Sequence, residues 1–197
     1  MKIIVRLEEE KDFRRVEEVT RAAFSYPGRA ENGGIGCPFE HWMVHALRER
    51  DGIRALSYVA EADGVLVGHV IYSDARVETD DGRALHVLNF GPLSVQPEYQ
   101  RAGIGKALMR ATIERAKELG YGAILFFGHP EYYPRFGFVQ AQELGITDRN
   151  GRNFPAFMGM ELRKGYLDGV RGRFFESPIY DDNLNGEAVR AFDEAFR

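Results

Sequence analysis

Residues 100–106 read Gln-Arg-Ala-Gly-Ile-Gly-Lys, two closely spaced glycines set among cations. Apolar side chains at Ile104, Ala107, Leu108, Ala111, Ile113, Ala116 and Leu119 then recur at the helical period, so this turn opens a helix. The first turn of a helix carries unpaired N–H groups and the positive end of the macrodipole. Phosphate oxygens are natural ligands there. Gly103 and Gly105 let the backbone approach an anion without Cβ clashes, while Arg101 and Lys106 add charge, with Arg110 one turn further on. The implied chemistry is recognition of a phosphate-bearing ligand. The spacing matches neither Gly-x-x-x-x-Gly-Lys-Ser/Thr nor Gly-x-Gly-x-x-Gly, which sets aside the two common nucleotide motifs.

Other reactive residue types say less. His41 and His45 lie four apart in His-Trp-Met-Val-His and share a helix face, but the Glu of a His-Glu-x-x-His metalloprotease is missing and no third ligand declares itself. The expectation is no metal. Ser94 and Ser177 lack the Gly-x-Ser-x-Gly elbow of a hydrolase. Cys37 is the only cysteine, so no intramolecular disulfide forms, in keeping with a reducing cytoplasm.

The elements that must hold the loop are legible around it. Residues 2–7 read as a short strand, and Asp12 is placed to cap a helix with Phe13, Val16, Val19, Ala23 and Phe24 on one face. Residues 25–38, rich in Gly and Pro, read as a loop, followed by a helix from Phe39 to about Arg48. Strand-period segments 57–61 and 65–72 flank Asp63-Gly64, a hairpin signal. A second turn at Asp80-Asp81-Gly82 leads into a strand from Ala84 to Val95. After the helix Gly103–Leu119 and its stop at Gly120, the apolar run 123–127 fits a strand buried on both faces. Phe138-Val139 and 156–162 are late strands, and a helix near 186–196 turns Ala188, Val189, Phe192 and Phe196 inward. The order implies an α+β fold with a strand–helix–strand crossover, in one domain over 1–197.

Composition narrows the class. The chain has 197 residues, 44% hydrophobic and 28% charged, which is ordinary for a soluble protein with a sizeable core. A net charge of −4 offers no basic field for nucleic acid, and the basic residues Lys164, Arg171 and Arg173 are interrupted by acids and read as solvated surface. No apolar stretch approaches the ~20 residues needed to span a membrane, and the N-terminus lacks a signal-peptide core. The expectation is a cytoplasmic protein with neither nucleic-acid nor membrane partners.

The context of the loop is specific. Leu93-Ser94-Val95, the lead-in Pro97-Glu98-Tyr99, and Gln100-Arg101-Ala102-Gly103-Ile104-Gly105 with Ala107-Leu108 resemble the acetyl-CoA motif of the GNAT superfamily of N-acetyltransferases. The resemblance covers residues 57–140 well. It implies a GNAT-like acyl-CoA N-acyltransferase fold: a mostly antiparallel twisted sheet, a splayed parallel strand pair, and flanking helices. It implies acetyl-CoA as cosubstrate and direct transfer of acetyl to a small-molecule or protein amine, with homodimerisation as a further analogy. Residues Gln100, Arg101, Ala102, Gly103, Ile104, Gly105 and Lys106 would hold the pyrophosphate. Leu93, Ser94 and Val95 would line the pantetheine arm, with Gly91-Pro92 marking a bulge and the Leu93 N–H an oxyanion donor. Tyr133, four residues ahead of Gly137-Phe138, matches the family tyrosine that protonates the departing thiolate. Pro134 departs from the usual residue there. The general base is left open among His129, Glu131, His86 and a water oriented by Asn89. Phe24, Tyr26, Phe39 and Trp42 fall where the superfamily shapes its acceptor site, and read equally well as core. The reading of another class is a coenzyme A-binding regulatory or sensor module without turnover.

Overall fold

The computed structural model describes residues 1–26 and 37–196. Most of the loop expected over 25–38 lies outside the described residues. The elements run β1 (Ile3–Leu7), α1 (Phe13–Phe24), α2 (Phe39–Glu49), β2 (Tyr58–Ala62), β3 (Val65–Thr79), β4 (Ala84–Val95), α3 (Ile104–Glu118), β5 (Ala123–Phe127), β6 (Val139–Gln140), β7 (Ile146–Thr147), β8 (Phe157–Glu161), β9 (Gly172–Phe175) and α4 (Asp182–Phe196). The strand order is β1-β2-β3-β4-β5-β8-β6, with β9 pairing β3 and β7. This is the mixed α+β arrangement read from the sequence, mostly antiparallel with a parallel β4–β5 pair joined by the α3 crossover. The contacts gather into two units, 1–71 with 91–111 and 178–197, and 72–90 with 112–177.

In the first unit, β1, β2 and the start of β3 form an antiparallel ladder, from Ile3 opposite Ala62 to Tyr58 opposite Val70. The Asp63-Gly64 turn is as expected, both residues at positive φ (49° and 85°). One apolar cluster joins Val16 and Val19 of α1 to Val44, Val59 and Leu66. Another joins Phe39, Trp42, Met43 and Leu47 of α2 to Ile71, Ile179 and Val189. Each such fully buried side chain is worth roughly 1.5–3 kcal/mol. Phe39 and Trp42 are core here, their rings 5.5 Å apart, and Cys37 is buried in the same cluster. His41 and His45 share a face, as read, and both meet Phe192 of α4, at 5.1 and 4.8 Å.

Several details differ from expectation. Asp12 does not cap α1: its carboxylate accepts from Arg6 at 2.6 and 3.0 Å and from the Glu9 N–H at 2.9 Å, because a charged donor within reach outcompetes a backbone amide. α4 begins at Asp182, and Ala188 faces solvent while Val189 and Asp193 point inward.

In the second unit, β5 pairs parallel to β4 with Leu88 opposite Ile124, and antiparallel to β8 from Ala123–Glu161 to Phe127–Phe157. β5 is buried from Ala123 to Phe126, but Phe127 is 40% exposed. The late strands fall where read. β3 runs on to Thr79, and its last residues pair with β9, a strand not foreseen, with Arg76 opposite Phe175. Arg171 and Arg173 are exposed as expected, while Gly172 and Phe174 between and beside them are buried.

Candidate active site

The segment that the sequence reading assigns to the donor, Gly91–Lys106, lies in the first unit. Within β4, Gly91 has a φ of 147° that favours glycine, and its bond to Pro92 is cis. Tyr180 steadies this point: its hydroxyl donates to the Gly91 carbonyl at 3.3 Å. Just past the end of β4 the Gln96 N–H donates to the Val67 carbonyl at 2.8 Å. The Ser94 side chain is turned inward, its hydroxyl 2.8 Å from that of Thr20. Ser94 can therefore offer a ligand only its backbone, whereas Leu93 and Val95 are half-exposed.

The loop after β4 is shaped for an anion. Arg101 takes the left-handed conformation at φ 64° and Gly103 follows at φ 90°. Such a left-handed kink turns successive N–H groups toward one side. The first bond within α3 runs from the Ala107 N–H to the Gly103 carbonyl at 3.0 Å, so the preceding N–H groups have no helical acceptor. A Cβ at Gly103 would meet nothing within 4 Å, so the turn faces open space. Arg101, Ala102 and Lys106 are exposed, and among the described residues neither cation is paired with a carboxylate. Two loop residues serve the scaffold. Gln100 donates to the Val95 carbonyl at 3.1 Å, pinning the loop to the end of β4, and Ile104 is 1% exposed, anchored under the helix.

Close packing fixes the start of α3. A Cβ on Gly68 of β3 would lie 2.8 Å from Ile104 Cγ2, so only glycine lets the helix come this near the strand.

The second unit holds Tyr133. It opens a short 3-10 turn, Tyr133–Phe136, ended by the left-handed Gly137. Pro134 sits in the first positions of that turn, where a missing N–H costs nothing. The phenol ring is packed edge-on against Phe126 at 4.6 Å, Phe90 at 5.6 Å and Phe138 at 6.0 Å. Gly128 makes room for it: a Cβ there would fall 2.6 Å from Tyr133 Cε2. Burial among these rings pushes the phenol pKa well above its ordinary value, so the proton stays on at neutral pH. Among the described residues the hydroxyl has no hydrogen-bond partner.

The candidate bases separate. His86 is exposed and held by Asp74 at 2.6 Å, and His129 is exposed in a shallow cleft with Pro130, Glu131, Tyr132 and Arg135. Asn89 is buried and donates from Nδ2 to Glu176 Oε2 at 2.7 Å. Glu176 was not among the sequence candidates.

The family model for the acetyltransferase (GNAT) family matches residues 14–138. The uncharacterized N-acetyltransferase YjhQ of Escherichia coli is 33% identical over 132 residues, 66% of this chain and 66% of its own length. YhbS of the same organism is 34% identical over 131 residues, 66% of this chain and 76% of its own. The crystal structure of Escherichia coli YhbS in complex with CoA superposes with a TM-score of 0.78 at 26% identity, covering 92% of this chain and 93% of that one. A Brucella melitensis GNAT acetyltransferase in complex with acetyl-CoA gives 0.67 at 26% identity, over 91% and 99%. With a family match over more than half its length, the chain belongs to the GNAT family of acetyltransferases.

Proposed function

We propose that the chain moves an acetyl group from acetyl-CoA to a primary amine by direct attack, with no covalent enzyme intermediate. The observation that carries this is the turn 101–106, which combines a left-handed arginine and glycine, unpaired helix N–H groups and two exposed, carboxylate-free cations. That donor set suits a pyrophosphate, the group that coenzyme A presents. Solved relatives that cover over nine-tenths of the chain are complexes with CoA or acetyl-CoA.

In this reading the backbone of Leu93 and Val95 pairs with the pantetheine arm as an added strand, and the Leu93 N–H polarises the thioester carbonyl. Tyr133 gives its proton to the departing thiolate. The acceptor is an amine of a small molecule or a protein.

Calorimetric titration with acetyl-CoA tests the donor half. Saturable binding is expected, weakened by Arg101→Ala and by Lys106→Ala. If neither acetyl-CoA nor coenzyme A binds at millimolar concentration, the reading falls. Thiol release on adding amines then distinguishes an enzyme from a coenzyme A sensor.

A further inference from the structure

The first unit holds a cavity of about 370 Å³ that the acetyl-transfer reading does not use. It lies where the end of β1, the start of α1 and the connection from α2 to β2 meet. Its volume is at the small end of ligand pockets, which run ~300–1,000 Å³. Leu7, Phe13, Ala55 and Ile71 give it apolar walls. Glu8, Arg48 and Ser57 also line it, and these three form one hydrogen-bonded network. We propose that this cavity binds a small organic cation, an ammonium or amidinium head on an apolar body, with the Glu8 carboxylate as its counter-charge.

The hydrogen bonds of the network decide which kind of head group fits. Every nitrogen of Arg48 already donates: Nε to Glu8 Oε2 at 3.2 Å, Nη1 to Glu17 Oε1 at 2.8 Å, and Nη2 to Glu8 Oε1. The Phe13 ring covers the guanidinium, 4.3 Å from its centroid. The Ser57 hydroxyl donates to Glu8 Oε2 at 2.7 Å, so its proton is committed as well, and its oxygen lies 3.1 Å from His69 Nε2. The buried lining therefore offers acceptors. An ionised carboxylate has about four lone-pair sites, and hydrogen bonds from Arg48 and Ser57 occupy three of those on Glu8.

Charge points the same way. Glu8 and Glu17 face one permanent cation, Arg48, and the Glu8 side chain is only 3% exposed. His69 Nε2 stands 3.5 Å from Glu8 Oε1, but burial pulls the imidazole pKa down and disfavours a second positive charge there. His45, 3.3 Å from Glu17, is partly exposed to solvent. The outer acids of the lining have exposed partners of their own, Glu9 with Lys11 and Glu10 with Arg54. A buried carboxylate with surplus charge is costly unless a cation meets it. An anion entering here would find no unpaired cation in the buried lining.

Calorimetric titration without acetyl-CoA reads this site separately from acetyl transfer. The probes are 2-phenylethylamine, its neutral counterpart 2-phenylethanol, and the anion 3-phenylpropanoate, at neutral pH. Saturable millimolar binding of the amine is expected, with the alcohol about tenfold weaker, as for exchange of a charged hydrogen bond for a neutral one. The anion should give no binding. Ala55→Leu fills the cavity without touching the network, and should abolish binding of the amine while keeping the wild-type circular dichroism. Glu8→Gln removes the charge and should bring amine and alcohol within about twofold of each other. Should that variant fail to fold, the wild-type ranking and Ala55→Leu still decide. Equal affinity for amine and alcohol in the wild type overturns the inference. So does wild-type binding of the amine by Ala55→Leu, or no binding of the amine at millimolar concentration. All three leave acetyl transfer standing, and failure of acetyl-CoA to bind would leave this site standing in turn.

Discussion

Gly68→Ala probes whether close packing at the foot of α3 holds the donor loop. The new Cβ would lie 2.8 Å from Ile104 Cγ2, 3.2 Å from Leu108 Cδ1 and 3.3 Å from the Ser94 carbonyl oxygen. None of these neighbours yields easily. Ile104 is 1% exposed and Leu108 fully buried, and a β-branched side chain in a helix has one strongly preferred rotamer. The helix start must move instead. Overpacking of this kind costs ~1–3 kcal/mol, which for a chain of this size lowers Tm by roughly 2–12 °C. The same movement turns the first-turn N–H groups away from their target, and a loss of ~1.4 kcal/mol there weakens acetyl-CoA about tenfold. Urea unfolding and calorimetric titration read the two effects separately. The partner change Ile104→Ala opens the space again, so the double-mutant cycle should show a favourable coupling of ~1 kcal/mol or more. A Gly68→Ala protein within ~0.5 kcal/mol of wild type, or strict additivity in the cycle, refutes the packing argument.

Other consequences are open to measurement. Tyr133→Phe should lower kcat about 100-fold with acetyl-CoA affinity intact; undiminished turnover removes Tyr133 as the acid. Its stability should stay within ~0.5 kcal/mol of wild type, since among the described residues the hydroxyl makes no hydrogen bond. Arg48 bridges two carboxylates of the first unit, reaching Glu8 at 3.2 Å through Nε and Glu17 at 2.8 Å through Nη1, with its side chain 8% exposed. Arg48→Met therefore leaves two acids without their cation and should cost ~3–5 kcal/mol in chemical denaturation; a cost under ~1 kcal/mol contradicts the network's role. Burial alone would raise the Glu8 carboxyl, but the hydrogen bonds and charges beside it win and hold it at about 2. The opposing pull comes from His69 and then Arg48, while burial lowers the pKa of the His69 imidazole itself. A folded value below the unfolded one stabilises above about pH 4.5 and is lost as pH falls through about 2. The stability gap between wild type and Glu8→Gln should accordingly narrow from pH 6 to pH 2.5, and a constant gap would exclude Glu8 as the titrating group.

The parts legible in the sequence were those written locally. The α3 face from Ile104 to Ala116, the Asp63-Gly64 turn and the apolar run of β5 each carry their own period or punctuation, and the structure keeps them. The second half of β3 was also written there: Ser73, Ala75, Val77 and Thr79 are buried while Asp74, Arg76 and Glu78 are not, a strict alternation hidden by its charges. β9 is masked the same way, with buried Gly172 and Phe174 set among arginines. Asp12 was misread because Arg6, on a neighbouring strand, competes for its carboxylate. Glu176 could not have been found from spacing. Its place beside Asn89 depends on the register of β9 against β3, 87 positions along the chain from its partner.

The hydroxyl pair of Thr20 and Ser94 has an evolutionary consequence. It fastens α1 to the end of β4 through two small, uncharged, mutually satisfied groups, sealed from solvent. Nothing on the outer face of α1 takes part in that fastening. The exposed Ala22 is thus free to drift without disturbing that strand. A lineage can vary the outside of one helix while its inside keeps the same hold on β4.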